Sequence, residues 1–261
     1  MVPGRVFLVG AGPGAPDLIT MRGVNALRQA DVVLYDRLTH PALLDYAPEH
    51  AERVYCGRAP GAAGDDRQAR IHHLMIRHAR DGRVVVRLKG GDPFVFVRGG
   101  EELLALAAEG VQVEVVPGIS SSIAAPSAAG IPVTHRGLAS AFAVFAAHEA
   151  DAATTPPVDW HVAARIPTAV FLMGVERLPT IVAQLVAHGR SIDTPAAVIE
   201  QGTLDSQRVY IGTLGTIVAR TKDVRPPATV VVGEVVSISE AAAEGRSIAP
   251  LRTELRSALA S

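Results

Sequence analysis

The sequence predicts an α/β protein of two domains, the first built on a mainly parallel sheet and the second on a mixed one. Short valine-rich apolar runs alternate with helix-like segments through the first half of the chain, the pattern of strands buried on both faces of a parallel sheet. Glycine-rich turns follow several of those runs directly. After Pro117 the rhythm changes: a stretch of small residues comes first, then apolar runs separated in some places by helices and in others only by turns. The expected spans are 1–118 and 119–245, followed by a peripheral helical tail at 246–261.

Taken in order, Val6–Val9, Val32–Tyr35, Val84–Leu88 and Val113–Val116 read as strands. Leu18–Gln29, Arg67–Arg80 and Gly100–Ala108 read as the helices that separate them. The small-residue segment "GISSSIAAPSAAGIPV" opens the second half, and "DAATTPPVD" reads as a surface loop. The runs "TAVFLM", "AAVIE", "RVYIG" and "ATVVVGEVV" are the strand candidates beyond it.

With 48% hydrophobic and 20% charged residues, the 261-residue chain falls among soluble globular proteins. A formal net charge of −1 provides no basic field to draw in nucleic acid. The single cysteine, Cys56, excludes an internal disulfide and a cysteine metal cluster, and it fits the cytosol. No apolar run is long enough to span a bilayer, and the N-terminus lacks the pattern of a signal peptide.

The first loop, "VGAGPGAPDLIT", approaches a dinucleotide fingerprint, with glycines at a strand-to-helix turn and Asp36 at the end of the next strand. Pro13 removes one N–H from that cradle. Asp17, expected to cap the following helix, adds negative charge where a phosphate would sit. The loop alone therefore leaves open a dinucleotide, a ligand without phosphates, or a turn with no ligand. "RLKGGDPFVFVRGGEE" is more specific. It follows a strand at the edge where open α/β sheets bind ligands, and it offers the bare backbone of Gly90 and Gly91 and the carboxylate of Asp92. "VVPGISSS" follows the next strand, with Ser120, Ser121 and Ser122. Such loops describe a cleft for a neutral or cationic nucleoside. Taken by itself, Met173 reads as ordinary core packing.

"VGAGPGAPDLIT", "ADVVLYDRL", "VVRLKGGDPFVF", "RGGEE", "VPGISS", "GIPVTHRGLAS", "FLMG" and "PATVVVGEVV" occur in the order seen in the tetrapyrrole methyltransferases, and the resemblance covers nearly the whole chain. It implies the tetrapyrrole methylase type of two-domain α/β fold, S-adenosylmethionine as methyl donor with S-adenosylhomocysteine as product, and a homodimer. Carried over residue by residue, it assigns Pro13, Gly90, Gly91, Asp92, Val95, Ser120, Ser121, Met173, Gly202 and Ala228 to the cofactor. The pairing of "YDRL" with "THRGLAS", near His148 and Glu149, implies two successive C-methylations of uroporphyrinogen III in sirohaem or cobalamin synthesis. A later precorrin substrate, or ligand binding without catalysis, are the alternatives. The eight carboxylates of that substrate call for cations, and Arg37, Arg98, His135 and Arg136 are candidates. Asp36 matches the family's proton acceptor. The family's proton donor is a lysine where this chain has Arg58. Arginine does not release its proton, so Arg58 reads as a carboxylate anchor. Val97 is a second departure, at a position where the family has glycine.

Overall fold

The computed structural model describes residues 4–57, 64–147 and 158–244. The chain divides into two compact units, Met1–Ser120 and Ser121–Ser261. Arg58, His148, Glu149, most of the "DAATTPPVD" loop and the expected tail at 246–261 lie outside the described residues.

In the first unit, β1 (Arg5–Gly10), β2 (Val32–Tyr35), β3 (Glu52–Tyr55), β4 (Val84–Lys89) and β5 (Gln112–Val116) form a parallel sheet in the order β3-β2-β4-β1-β5. Helices α1 (Met21–Leu27), α2 (Gly64–Arg80) and α3 (Gly99–Ala108) lie in the connections. Parallel strands bring all their carboxyl ends to one edge, and the loops singled out above leave from that edge. Successive side chains of a strand point to opposite faces. Val86 and Leu88 accordingly join Phe7, Leu27 and Leu43 in one apolar layer. Val85 joins Leu8, Met75 and Leu106 in the other, beneath α2 and α3. Arg87 and Lys89 share the face of Val85.

Two local expectations are corrected. The helix expected over Leu18–Gln29 is shorter. Pro16–Leu18 forms a 3-10 turn, Ile19 and Thr20 are extended, and α1 starts only at Met21. Its cap is Thr20, whose hydroxyl accepts the Gly23 N–H at 3.1 Å, and not Asp17. The strand β3 was not anticipated, because "ERVY" is a half-polar edge strand without an apolar run.

The second unit contains α4 (Ser121–Ala128), β6 (Phe142–Ala146), α5 (Trp160–Arg165), β7 (Thr168–Leu172), α6 (Leu178–Ala187), β8 (Pro195–Glu200), β9 (Arg208–Thr213), α7 (Ile217–Arg220), β10 (Ala228–Val232) and α8 (Ser237–Ala243). Its sheet runs β6-β7-β10-β8-β9; β6 and β7 are parallel, and the other pairings are antiparallel. Val230 and Val232 pack with Phe171, Leu185 and Val198 on one face. Val231 packs with Ala125, Val170 and Ile199 on the other. Fully burying a side chain the size of Phe171 or Leu185 stabilises by about 1.5–3 kcal/mol.

Candidate active site

At the carboxyl edge of the first sheet, three loops are tied together, two by their backbones and the third by a side chain. The Ala11 N–H donates to the Lys89 carbonyl at 2.7 Å, and Gly12 and Gly91 exchange two hydrogen bonds of 3.2 and 2.7 Å. The first loop therefore spends two of its N–H groups inside the protein, and its geometry is not that of a pyrophosphate cradle. Gly10 and Gly118 are bare because backbones cross there. A Cβ on Gly118 would lie 2.3 Å from the Gly91 carbonyl oxygen. Gly91 is different: its φ is +72°, and the nearest atom to an added Cβ is the Ser120 Cα at 3.9 Å, so it presents open backbone. Asp92 closes the assembly. Its Oδ1 accepts the Phe94 N–H at 2.9 Å and its Oδ2 the Gly118 N–H at 3.1 Å. Asp92 is thus a clamp between two loops. Pro13, Val95 and Ser120 are half-buried around it.

Asp36 follows the last residue of β2 at the same edge. Its Oδ1 accepts the Leu38 N–H at 3.2 Å, and its Oδ2 accepts from Arg87 Nη2 at 3.2 Å. Behind Arg87 stands Glu102 on α3, whose Oε1 accepts from Arg87 Nε at 3.3 Å and from Gln68 Nε2 at 3.2 Å. Glu102 Oε2 accepts from Lys89 Nζ at 2.7 Å. Burial, with the Arg87 guanidinium nearby, pushes the Lys89 ammonium down to about 8 against the pull of Glu102. This buried set was not singled out from the sequence. Its signal was there: Arg87 and Lys89 interrupt an apolar strand at alternate positions, and Glu102 shares the inward spacing of Gly99 and Leu106.

Among the substrate candidates, Arg37 is exposed. Arg98 has a left-handed backbone, with φ of 61°, and grips Glu101 through Nε and Nη2 at 2.9 and 2.6 Å. That contact holds Glu101 below the usual carboxylate range. A substrate carboxylate at Arg98 would compete with Glu101. Val97 stands between two left-handed residues, Phe96 and Arg98, but does not share their backbone, so a β-branched side chain is accommodated there.

In the second unit, Met173, Gly202 and Ala228 come together. Leu172 pairs with Thr229 and Glu200 with Ala228, which sets the ends of β7 and β8 beside the start of β10. Met173 is left-handed, with φ of 56°, and 50% exposed. It is therefore no core residue. Gly202 lies between the left-handed Gln201 and Thr203, and a Cβ on it would meet Ala125 Cβ at 2.5 Å. Ser121 begins α4. His135 and Arg136 line a concave surface of about 650 Å³ with Thr134, Leu138 and Pro167. The His135 Nδ1 is buried there without a hydrogen-bond partner.

The chain is an α/β protein of two units, with a sheet edge of open glycine backbone beside an anchored carboxylate. Residues 5–218 match the family described as Tetrapyrrole (Corrin/Porphyrin) Methylases, and the chain belongs to that family. It is 48% identical over 239 residues to a uroporphyrinogen-III C-methyltransferase of Priestia megaterium, covering 90% of this chain and 100% of that one. It is 48% identical over 242 residues to a siroheme synthase of Stutzerimonas stutzeri, covering 91% of this chain and 51% of the relative. Among solved structures, a uroporphyrin-III C-methyl transferase from Thermus thermophilus, complexed with S-adenyl homocysteine, is similar with a TM-score of 0.78. It is 44% identical and covers 90% of this chain and 100% of its own.

Proposed function

We propose that the protein transfers two methyl groups from S-adenosylmethionine to carbons of uroporphyrinogen III, giving precorrin-2 for sirohaem or cobalamin synthesis. The observation that carries this reading is the 48% identity across the full length of a uroporphyrinogen-III C-methyltransferase. The residues fit the donor. Gly91 offers backbone in open space, and Met173 and Ala228 offer an exposed thioether and a small side chain to a flat base. On the family resemblance, Pro13, Gly90, Gly91, Asp92, Val95, Ser120, Ser121, Met173, Gly202 and Ala228 are assigned to it. When bound, the donor supplies an electrophilic methyl group on a sulfonium. The donor is already reactive, so positioning is the main contribution of the protein.

Asp36 accepts the proton that a bridging carbon of the substrate loses once the new carbon–carbon bond has formed. Both of its oxygens are tied and each keeps a further lone pair, so the acceptor is fixed in direction and still available. Arg37, Arg58, Arg98, His135 and Arg136 are assigned to the substrate carboxylates. The exposed Arg136 on that concave surface supports a carboxylate subsite there. We further assign the protein to the cytosol, on its single cysteine, and to a homodimer, on the family resemblance. Incubation with uroporphyrinogen III and S-adenosylmethionine, followed by mass analysis, tests the reading. The expected product carries two added methyl groups. Unchanged substrate, or methylation of a later precorrin alone, would refute it.

A further inference from the structure

We infer that Arg87 is a positioning residue for Asp36, and that Glu102, held by Lys89 and Gln68, fixes Arg87 in that task. The inference rests on the reading of Asp36 as proton acceptor.

Asp36, Arg87, Glu102 and Lys89 form one chain of ion pairs with contacts of 3.2, 3.3 and 2.7 Å. Two acids and two bases leave it formally neutral. The exposure of its members is graded: the side chains of Lys89 and Glu102 are 2% and 0% exposed, that of Arg87 5%, and that of Asp36 27%. Only the last member reaches the surface. The set lies in the layer where Val85, Met75 and Leu106 pack. Well-packed apolar side chains often do as well or better for stability than a buried ionic set, so packing does not account for four charges in this place. Directed hold on the exposed carboxylate does.

The guanidinium is constrained in its plane. Its Nε donates to Glu102, its Nη1 to the carbonyls of Leu34 and Leu88 at 3.4 and 3.1 Å, and its Nη2 to Asp36. Four of its five N–H donors are thereby engaged, and the plane they fix aims one Nη2 N–H at Asp36 Oδ2. The Leu38 N–H fixes Oδ1. Gln68 on α2 gives Glu102 its second donor on Oε1, so the carboxylate behind Arg87 is itself held from a neighbouring helix and a strand. A misplacement of about 1 Å in a reacting group costs about 100-fold in rate. A lysine at position 87 would keep the charge but lose the planar fork that transmits this geometry.

The test is a double-mutant cycle on the full chain with Arg87→Lys and Asp36→Asn, with kcat expressed per site titrated calorimetrically by S-adenosylhomocysteine. Arg87→Lys is expected to lower kcat by about 10–100-fold, with the KM for the donor unchanged within about twofold. In the Asp36→Asn background the same substitution is expected to change kcat by less than about threefold, because the group it positions is gone. Equal fold losses in both backgrounds, or a wild-type kcat in Arg87→Lys, would overturn the proposal and leave the Asp36 reading standing. Wild-type turnover by Asp36→Asn alone would overturn both. A second readout needs no turnover. The Leu38 amide proton reports on Asp36 Oδ1, and its resonance in the ligand-free protein should move in Arg87→Lys; an unmoved resonance counts against the proposal. If Arg87→Lys does not fold, Glu102→Gln takes its place, with an expected loss of about 3–10-fold that likewise disappears in the Asp36→Asn background.

Discussion

At the edge of the first sheet, a carboxylate ties two loops through the Phe94 and Gly118 N–H groups, and a second carboxylate stands on a buried guanidinium. At the edge of the second, the assigned residues carry no charge. Met173 projects from a left-handed backbone, and Gly202 fits against Ala125 where no Cβ has room. The charge near that second edge, Glu200, is buried and accepts the Arg225 N–H at 2.9 Å. The first edge combines the open backbone of Gly91 with directed hydrogen bonds and ion pairs, and the second is built from shape, without charge on its assigned residues. Moving a proton needs a fixed charge. Recognising a flat, largely apolar base needs space and small side chains. Under the proposed function the first edge answers the first demand and the second edge the other, so substitutions at them should fail in different ways.

The largest expected effect is at the first edge. Asp36→Asn keeps the size of the side chain and removes its basicity, and kcat should fall by about 10²–10⁴-fold. Steady-state kinetics checks this, and a fully active variant would reduce the acid to a structural role. Gly118→Ala attacks the stitching. Its methyl would lie 2.3 Å from a backbone oxygen, and overpacking of this kind destabilises by about 1–3 kcal/mol, read from urea unfolding. No loss would show that the loops slide freely. Gly91→Val should also lose activity. A β-branched residue at φ of +72° carries strain there, so its folded fraction must be measured alongside. At the second edge, Met173→Ala should leave stability unchanged and weaken S-adenosylhomocysteine binding by about tenfold, as a half-exposed side chain loses its ligand contact.

The smallest effect concerns the buried charge of Lys89. Above pH 8 the folded chain releases the Lys89 proton, while the unfolded chain, with an ordinary lysine near about 10.4, retains it. The unfolded state then binds more protons, and this component of stability rises with pH between those values. Lys89→Met removes that rise, and urea titrations at pH 8 and 10 on both proteins measure the difference. Identical slopes would mean that Lys89 titrates as if exposed.

Much of this was legible in the sequence. The parallel strands and the glycine loops that follow them stand out because apolar runs and glycine turns are local signals. The exchange between Gly12 and Gly91 was not, since the two are far apart in sequence and their pairing is set by the strand order. Asp92 illustrates the same limit. Its residue type suggested a ligand contact, while the fold also gives it two backbone donors. Met173 went the other way. By residue type it reads as core, and only its left-handed backbone at the end of β7 turns it outward. The alternation of Arg87 and Lys89 within an apolar strand was a readable sign of inward-facing charge, but its partner Glu102 becomes evident only when α3 packs on the sheet.

The division between the two edges is tested most directly by calorimetric titration of S-adenosylhomocysteine into Asp36→Asn and Met173→Ala side by side. The expected result is an affinity within about twofold of the parent protein for Asp36→Asn and about tenfold weaker for Met173→Ala. The reverse order, or equal losses in both, would contradict the assignment of proton chemistry to the first edge and base recognition to the second.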